Sequence, residues 1–570
     1  MGSVSVVFGR DIYKKVFNKY RSAMLNLLLA SFSWLSLMLI VAEFSVGLSV
    51  LPALIVYGVL IRRVYQRRFR GTGKYRVNGE LSARIFLSLL PVFLYTIGGK
   101  GSVLGVFLCS VFAVMPIVEP ILSNLVDRSK VRSVNLPNSN LEDKSIITSE
   151  VISDFHLFAV FVASVAMLIN ISVLFLLLLI VFEVFLMVLA ANSIHKNFKR
   201  HISNDERTRN AIEAYCPKFV LYYSAPAGSV YQIGMWLNYL ERIGESFIIV
   251  MREDKDFNDI KRLTSRPVII CPRIIDLDDI LVPCIKAAFY VNNGMRNTHL
   301  VRNTSITHVQ LLHGDSDKAP SYNPVAAMFD KIFVAGQAGV DRYHDHGVSI
   351  PNEKFEIVGR PQVENVVRQS DSEQKVTKVL YAPTWRGNYN DTNYCSLPVG
   401  LDIVSSLLER EVAVVFRPHP YSYKDAAHCA VIRNIQRLLK ADSEKTGREH
   451  KWGHSAETGM SVFECFNSVD AMVSDVSSVV PDFLFSEKPF SIVAMLGSGQ
   501  DFVQEFPLSR VGYVIEKDLS NLEEMLNKLI SSDLKRVDRI EARKHYLGDF
   551  EEAGYADNFL NAARKVINDE

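Results

Sequence analysis

Four short stretches in the second half of this chain put reactive side chains directly behind apolar runs. Leu311-Leu312-His313-Gly314-Asp315-Ser316-Asp317-Lys318 follows the β-rich Ile306-Thr307-His308-Val309-Gln310. The other three are Tyr381-Ala382-Pro383-Thr384-Trp385-Arg386, Phe416-Arg417-Pro418-His419-Pro420 and Asp470-Ala471-Met472-Val473-Ser474-Asp475-Val476-Ser477-Ser478. Open α/β sheets build their sites at the carboxyl ends of strands. Four polar strand ends in order carry more weight than one histidine.

The residue types suit transfer chemistry on phosphate. A neutral His313, with an ordinary pKa of about 6.5, can take a proton from an attacking hydroxyl, a contribution of about 10²–10⁴-fold. In the stiff Arg-Pro-His-Pro turn, Arg417 can fork onto a phosphate and His419 can donate to a bridging or leaving oxygen. Ser477 and Ser478 open a stretch with helical character, where hydroxyls and free N–H groups bind phosphate. Arg386 can meet the same charge, with Thr384 beside it and Trp385 stacking or packing. Asp475 reads as the organiser of that loop, and Lys318 as an assisting cation.

These ends need strands behind them. From about 217 onward, short β-rich runs (218–223, 247–251, 267–270, 287–291) alternate with helical stretches, the pattern of βαβ units and parallel sheets. Runs at 331–336 and 355–361 complete a first unit. A polar stretch at 371–375 reads as a linker, and a second βαβ series runs from 376 to about 515. The helical stretch 519–570 is expected to pack back across both.

The first third is different. Apolar runs at 22–42, 44–61, 82–98, 102–122, 155–170 and 171–191 approach the roughly 20 residues a spanning helix needs, the third being the shortest. The last two form one stretch too long for a single crossing, with the turn expected at Asn170-Ile171-Ser172. Basic residues crowd alternate connections: Arg62 to Arg76 after the second run, Arg128, Lys130 and Arg132 after the fourth, Lys196, Lys199 and Arg200 after the sixth. Positive-inside bias then gives six helices with both ends cytoplasmic. Glu183, inside the last run, is a functional candidate by default. With no second intramembrane charge of note, packing inside the bundle is its expected role.

The chain has 570 residues, too many for one ordinary domain, and a formal net charge of +2, which argues against nucleic acid as a partner. Seven dispersed cysteines without a CxxC pair read as reduced thiols. The acidic clusters 276–279 and 315–317 could hold a divalent ion, but ordinary surface is the expectation, so no metal or other cofactor is assigned.

At the four strand ends the chain resembles the CDP-glycerol glycerophosphotransferase family, the teichoic-acid primases and polymerases. Gln310-Leu311-Leu312-His313-Gly314, Leu380 to Arg386, Phe416 to Pro420 and Val473 to Ser478, with Asp482 and Lys488-Pro489 beyond, carry the likeness, and Asn292-Asn293 also fits. The likeness covers roughly 215–540. It departs from the family where Thr-Pro-Leu-Lys gives way to Asp315-Ser316-Asp317-Lys318, and in the added N-terminal helices. The resemblance implies a GT-B fold of two facing Rossmann-like domains behind an α-helical transmembrane bundle: residues 1–200 in the membrane, 215–370 as the acceptor half and 376–570 as the CDP-donor half. It implies transfer of glycerol phosphate from CDP-glycerol to a lipid-linked polyol-phosphate or glycan acceptor, with release of CMP, in bacterial teichoic-acid-like or capsule synthesis. His313 and His419 would be catalytic. Arg417, Ser477, Ser478, Thr384, Arg386 and Asp475 would hold the donor; Lys318 and Asn293 would meet the acceptor. The partners expected are CDP-glycerol or a related CDP-polyol, the acceptor, membrane lipids and, optionally, further copies in a homo-oligomer. The open alternatives are a CDP-ribitol transferase, a GT-B enzyme using a nucleotide sugar, and a non-catalytic membrane scaffold.

Overall fold

The apolar runs of the first third fold into six helices: α1 (Val4–Val41), α2 (Val46–Arg70), α3 (Val77–Ile97), α4 (Val103–Arg128), α5 (Ser149–Leu168) and α6 (Val173–Tyr215). This computed structural model describes residues 4–70, 77–97, 102–128, 132–137, 149–169, 171, 173–253, 255–369, 375–387, 393–531 and 533–568. Lys74, Arg76 and Lys130, the expected turn residues Asn170 and Ser172, and most of the expected linker (371–374) lie outside that set. Leu37, Ala53, Tyr57, Leu87, Leu90, Ala159, Ala163 and Leu176 form the buried seam of the bundle. Leu27, Leu28, Leu51, Phe107, Phe158 and Leu178 point outward and are exposed. A row of exposed large apolar residues is costly in water and natural in lipid.

Among the described residues, five of these helices are long and apolar enough to cross a membrane: Ala23–Val41, Val46–Gln66, Glu80–Ile97, Val151–Leu168 and Phe175–Asn192. The third run, expected to be the weakest, is among them. The fourth is a shorter apolar stretch among the described residues, Val103–Val118.

The chain divides into two units, Met1–Arg132 with Asn140–Arg207, and Ser133–Ser139 with Thr208–Glu570. The second unit holds two sheets. The first contains β1 (Arg132–Val134), β2 (Phe219–Tyr223), β3 (Phe247–Met251), β4 (Val268–Ile270), β5 (Ala287–Tyr290), β6 (Thr307–Gln310), β7 (Lys331–Val334) and β8 (Phe355–Ile357), in the order β1-β4-β3-β2-β5-β6-β7-β8. The second contains β9 (Lys378–Ala382), β10 (Ala413–Phe416), β11 (Ala471–Asp475), β12 (Phe490–Ala494) and β13 (Tyr513–Glu516), in the order β10-β9-β11-β12-β13. The pairs from β2 to β8 and from β9 to β13 are parallel. Central strands are buried on both faces, which is why Phe219-Val220-Leu221-Tyr222-Tyr223 reads as continuous and not alternating. Two Rossmann-like sheets in one unit give the GT-B architecture. The edge strand β1 comes from the connection between α4 and α5, and three residues were too short a signal to find in sequence.

Each sheet reverses its winding once, between β2 and β5 in the first and between β9 and β11 in the second. Those reversals open the crevices where α/β sheets bind ligands. The C-terminal helix Asp557–Asn568 returns to the first sheet: Phe559, Leu560, Ala563 and Ile567 join Phe219, Trp236 and Phe333 in one core. The preceding helix Arg536–Leu547 places Tyr546 and Leu547 in the core of the second.

One expectation fails. Cys216 and Cys284 form a disulfide, with their Cα atoms 5.5 Å apart, so not every thiol is free. The two residues are 68 apart in sequence, but they precede β2 and β5, which are neighbours in the sheet. Cys109, Cys271, Cys395, Cys429 and Cys465 are free.

Candidate active site

His313 stands at the first winding reversal. Past β6 the chain turns through Leu312, whose φ of +56° is the left-handed conformation that a branched residue adopts only when held there. The indole Nε1 of Trp236, on α7 (Tyr231–Arg242), donates to the Leu312 carbonyl at 2.6 Å. The turn swings the imidazole over the end of β5, where Nδ1 lies 2.9 Å from the Val291 carbonyl. A carbonyl can only accept, so Nδ1 carries the hydrogen and Nε2 offers its lone pair. Burial lowers the pKa of His313, opposed by the Val291 bond and reinforced by Arg360. That keeps the ring neutral, as a base must be.

His419 stands at the second reversal in the opposite tautomer. Its backbone N–H donates to the Pro383 carbonyl at 3.1 Å, and its Nδ1 accepts from the Tyr421 N–H at 3.1 Å. The hydrogen is therefore on Nε2, which can only donate. Burial, with the cations Lys318 and Lys424 nearby, brings its pKa down to about 4, so the ring is a neutral donor at any physiological pH. Trp385 lies 6.2 Å away, ring centre to ring centre.

Contacts between the halves bring these ends together. A Cβ built on Gly314 would lie 3.1 Å from the Ser478 Cβ and 3.2 Å from its hydroxyl. Ser229 Oγ lies 3.2 Å from the Tyr421 hydroxyl, two residues from His419, while Tyr231 meets the His313 ring edge-on at 5.8 Å. Arg360, buried behind β8, pairs with Asp482 at 2.9 Å and reaches the His313 carbonyl at 3.3 Å. Lys318 spans the gap, its ammonium 4.9 Å from the centre of the Tyr394 ring. A cavity of about 670 Å³ along the edge strand β13 is lined by none of these residues.

Residues 349–533 match the sequence profile of the family described as CDP-Glycerol:Poly(glycerophosphate) glycerophosphotransferase. That stretch, about a third of the chain, is of the CDP-glycerol glycerophosphotransferase type. Among solved structures, the wall teichoic acid polymerase TagF is similar at 12% identity and a TM-score of 0.40, over 66% of this chain and 98% of that one. A putative UDP-N-acetylglucosamine 2-epimerase from Listeria monocytogenes (10%, 0.41, 62% and 98%) and a glycosyltransferase from Rickettsia africae (11%, 0.39, 62% and 99%) are similar too. Likenesses this loose bear on neither substrate nor mechanism. No curated protein matches the chain.

The glycerophosphotransferase match takes in Thr384, Arg386, Arg417, His419, Asp475, Ser477 and Ser478; His313, Lys318 and Asn293 rest on the geometry alone. That geometry corrects several expected roles. Asp475 is fully buried and spends both oxygens on the Thr384 N–H (3.0 and 3.1 Å), the Ser396 N–H (2.8 Å) and the Ser396 hydroxyl (2.9 Å). It holds two loops together and has no face for a donor. Burial raises its pKa to about 6, against the pull of Lys318 and those hydrogen bonds. Arg417 commits Nη1 to the carbonyls of Ala456 and Met460 (2.8 Å), so it braces the segment 456–465. Asn293 accepts from Gln310 at 2.7 Å and donates to the Pro320 carbonyl at 2.9 Å, so it supports the His313 loop.

Lys318 was expected on the acceptor side, yet its ammonium faces the second half, close enough to Asp475 and His419 to shift both. It makes no hydrogen bond to any described residue, and burial lowers its pKa. Arg386 is half-exposed and pairs with Asp425 at 3.1 Å. Ser477 is buried and Ser478 faces Gly314. The aspartates that depart from the family pattern are no metal cluster: Arg342 pairs with Asp315 and with Asp317 (3.1 Å), and Tyr546 donates to Asp317 at 3.2 Å. Arg360, Trp236, Tyr231 and Tyr421 were missed. The one sequence signal for Arg360 was its place in Gly359-Arg360-Pro361, directly after a strand.

Proposed function

We propose that this chain transfers glycerol phosphate from CDP-glycerol to a hydroxyl of a lipid-linked acceptor, releasing CMP. The acceptor hydroxyl gives its proton to Nε2 of His313 as its oxygen bonds to the phosphorus that bears glycerol. The bond from that phosphorus to the bridging oxygen breaks, and the electron pair leaves on CMP. His419, donating from Nε2, stabilises the charge that grows on the departing phosphate, with Lys318 and the hydroxyls of Ser477 and Ser478 around it. Residues 215–370 then serve as the acceptor half and 376–570 as the donor half. The observation that carries the reading is the pair of histidines in opposite tautomers, one base-ready and one donor-ready, at the two winding reversals.

The apolar helices fit a membrane-confined acceptor, since tethering enzyme and acceptor to one bilayer raises their effective concentration. Positive-inside bias supports a cytoplasmic α/β unit.

The test is a donor panel on the purified full chain in detergent: CDP-glycerol, CDP-ribitol and UDP-sugars, with a lipid-linked or a short soluble acceptor. CMP from CDP-glycerol, faster with the lipid-linked acceptor, is expected. CMP from CDP-ribitol alone overturns the donor, UDP release overturns the class, and equal rates on both acceptors overturn the role of the helices.

A further inference from the structure

The helical unit contains a polar seam that anchoring does not require. Glu80, Arg84 and Ser88 lie four residues apart on one face of α3, reaching about 12 Å into the span at 1.5 Å per residue. At the rim, Arg63 of α2 pairs with Glu80 at 2.6 Å and donates to Asn26 of α1 at 3.2 Å. Deeper, Arg84 donates to the Ser153 carbonyl (3.0 Å) and hydroxyl (2.7 Å) on α5, and lies 3.3 Å from Glu80. Deepest, His156 of α5 lies between Ser88 (Nε2 to Oγ, 3.3 Å) and Glu183 of α6 (Nδ1 to Oε1). His156 and Glu183 are each 2% exposed. Glu183, expected to serve packing inside the bundle, has a polar partner there.

Donor counting fixes the protons. The Ser88 hydroxyl spends its hydrogen on the Arg84 carbonyl at 2.7 Å, so it accepts from His156 Nε2. The remaining contact, Nδ1 to Oε1, also needs a hydrogen, whether the ring or the carboxyl supplies it. The pair therefore holds one proton more than a neutral imidazole and a carboxylate carry together. Glu183 Oε2 is buried and has no hydrogen-bond partner among the described residues.

We infer that the helical unit binds an exchangeable proton at the His156–Glu183 pair. A buried pair that could never release its proton would need no neighbouring charge. Here Arg84 stands one turn from Ser88 and can offset the negative charge that release leaves behind. Among the described residues, the other charges facing the seam are Glu80 on α3, which pairs with both Arg63 and Arg84, and Asp154 on α5, which pairs with Arg68 of α2 at 2.6 Å. Ionisable residues inside a membrane span are retained for such work, because burying them otherwise only costs stability.

The test is infrared difference spectroscopy of the full chain in lipid nanodiscs between about pH 5 and 9, in wild type, Glu183→Gln, His156→Gln and Ser88→Ala. Wild type should show carboxyl and imidazole bands that titrate together. Both should vanish in Glu183→Gln and His156→Gln, and persist but shift in Ser88→Ala, which leaves the pair intact. No titrating band in wild type would overturn the inference whether or not the variants fold. So would a band that survives in both pair variants, or one driven by added sodium at fixed pH.

Discussion

Arg360 couples the two sheets to the catalytic loop, and its removal makes two separable predictions. Its guanidinium and the Asp482 carboxylate are both buried, at 2.9 and 3.3 Å, and its Nη2 also holds the His313 carbonyl at 3.3 Å. Arg360→Met strands the aspartate without a countercharge, which costs about 3–5 kcal/mol for a buried pair. At roughly 1–2 °C per kcal/mol for a unit of this size, the α/β unit should melt about 5 °C lower by calorimetry. Adding Asp482→Leu removes the stranded charge, so the double variant should recover about half or more of that loss. CMP release should not recover, because both variants lack the bond to the His313 carbonyl. A double variant melting as low as the single one would refute the pairing. Full turnover in the double variant would refute the link to His313.

The remaining predictions concern the cleft. Burial holds His313 below its ordinary pKa, so the base stays neutral to lower pH than a free imidazole; kcat/KM should be flat across neutral pH and fall only in more acid solution. His419 titrates near 4 when folded and near 6.5 when unfolded. The unfolded chain thus takes up that proton first, and stability from this residue is lost as pH falls from about 6.5 to about 4, seen as a lower melting temperature. Lys318→Met should raise the KM for donor about tenfold or more without lowering the melting temperature, because its half-buried ammonium makes no hydrogen bond to a described residue; an unchanged KM would put Lys318 outside the donor site. Gly314→Ala should cut kcat about tenfold, since its Cβ meets Ser478 at 3.1 Å and pushes the halves apart by a few tenths of an ångström; an unchanged kcat would mean the halves stand farther apart at turnover.

Much of this could be read from the chain because parallel strands buried on both faces are near-continuous apolar runs. Strand after strand from Phe219 to Ile515 announced itself that way, and His313 and His419 were legible as polar residues that end such runs. What sequence hid was contact between distant segments. Nothing in Asp315-Ser316-Asp317 points to Arg342, nor in Asp475 to Ser396, because those partners come from other elements folded against them. The same blindness hid the partners of Arg417 and Asn293, which were read as a phosphate ligand and an acceptor contact. It also hid the disulfide, which joins the starts of neighbouring strands, and it left Glu183 without His156, 27 residues away on a different helix.

The central claim is that His313 takes the acceptor's proton. The most direct measurement is acceptor-dependent CMP release from CDP-glycerol by the full chain in detergent, for wild type and His313→Ala. A fall of at least about a hundredfold with the melting temperature preserved is the predicted result. Equal release from both proteins would contradict it and move the base elsewhere in the cleft.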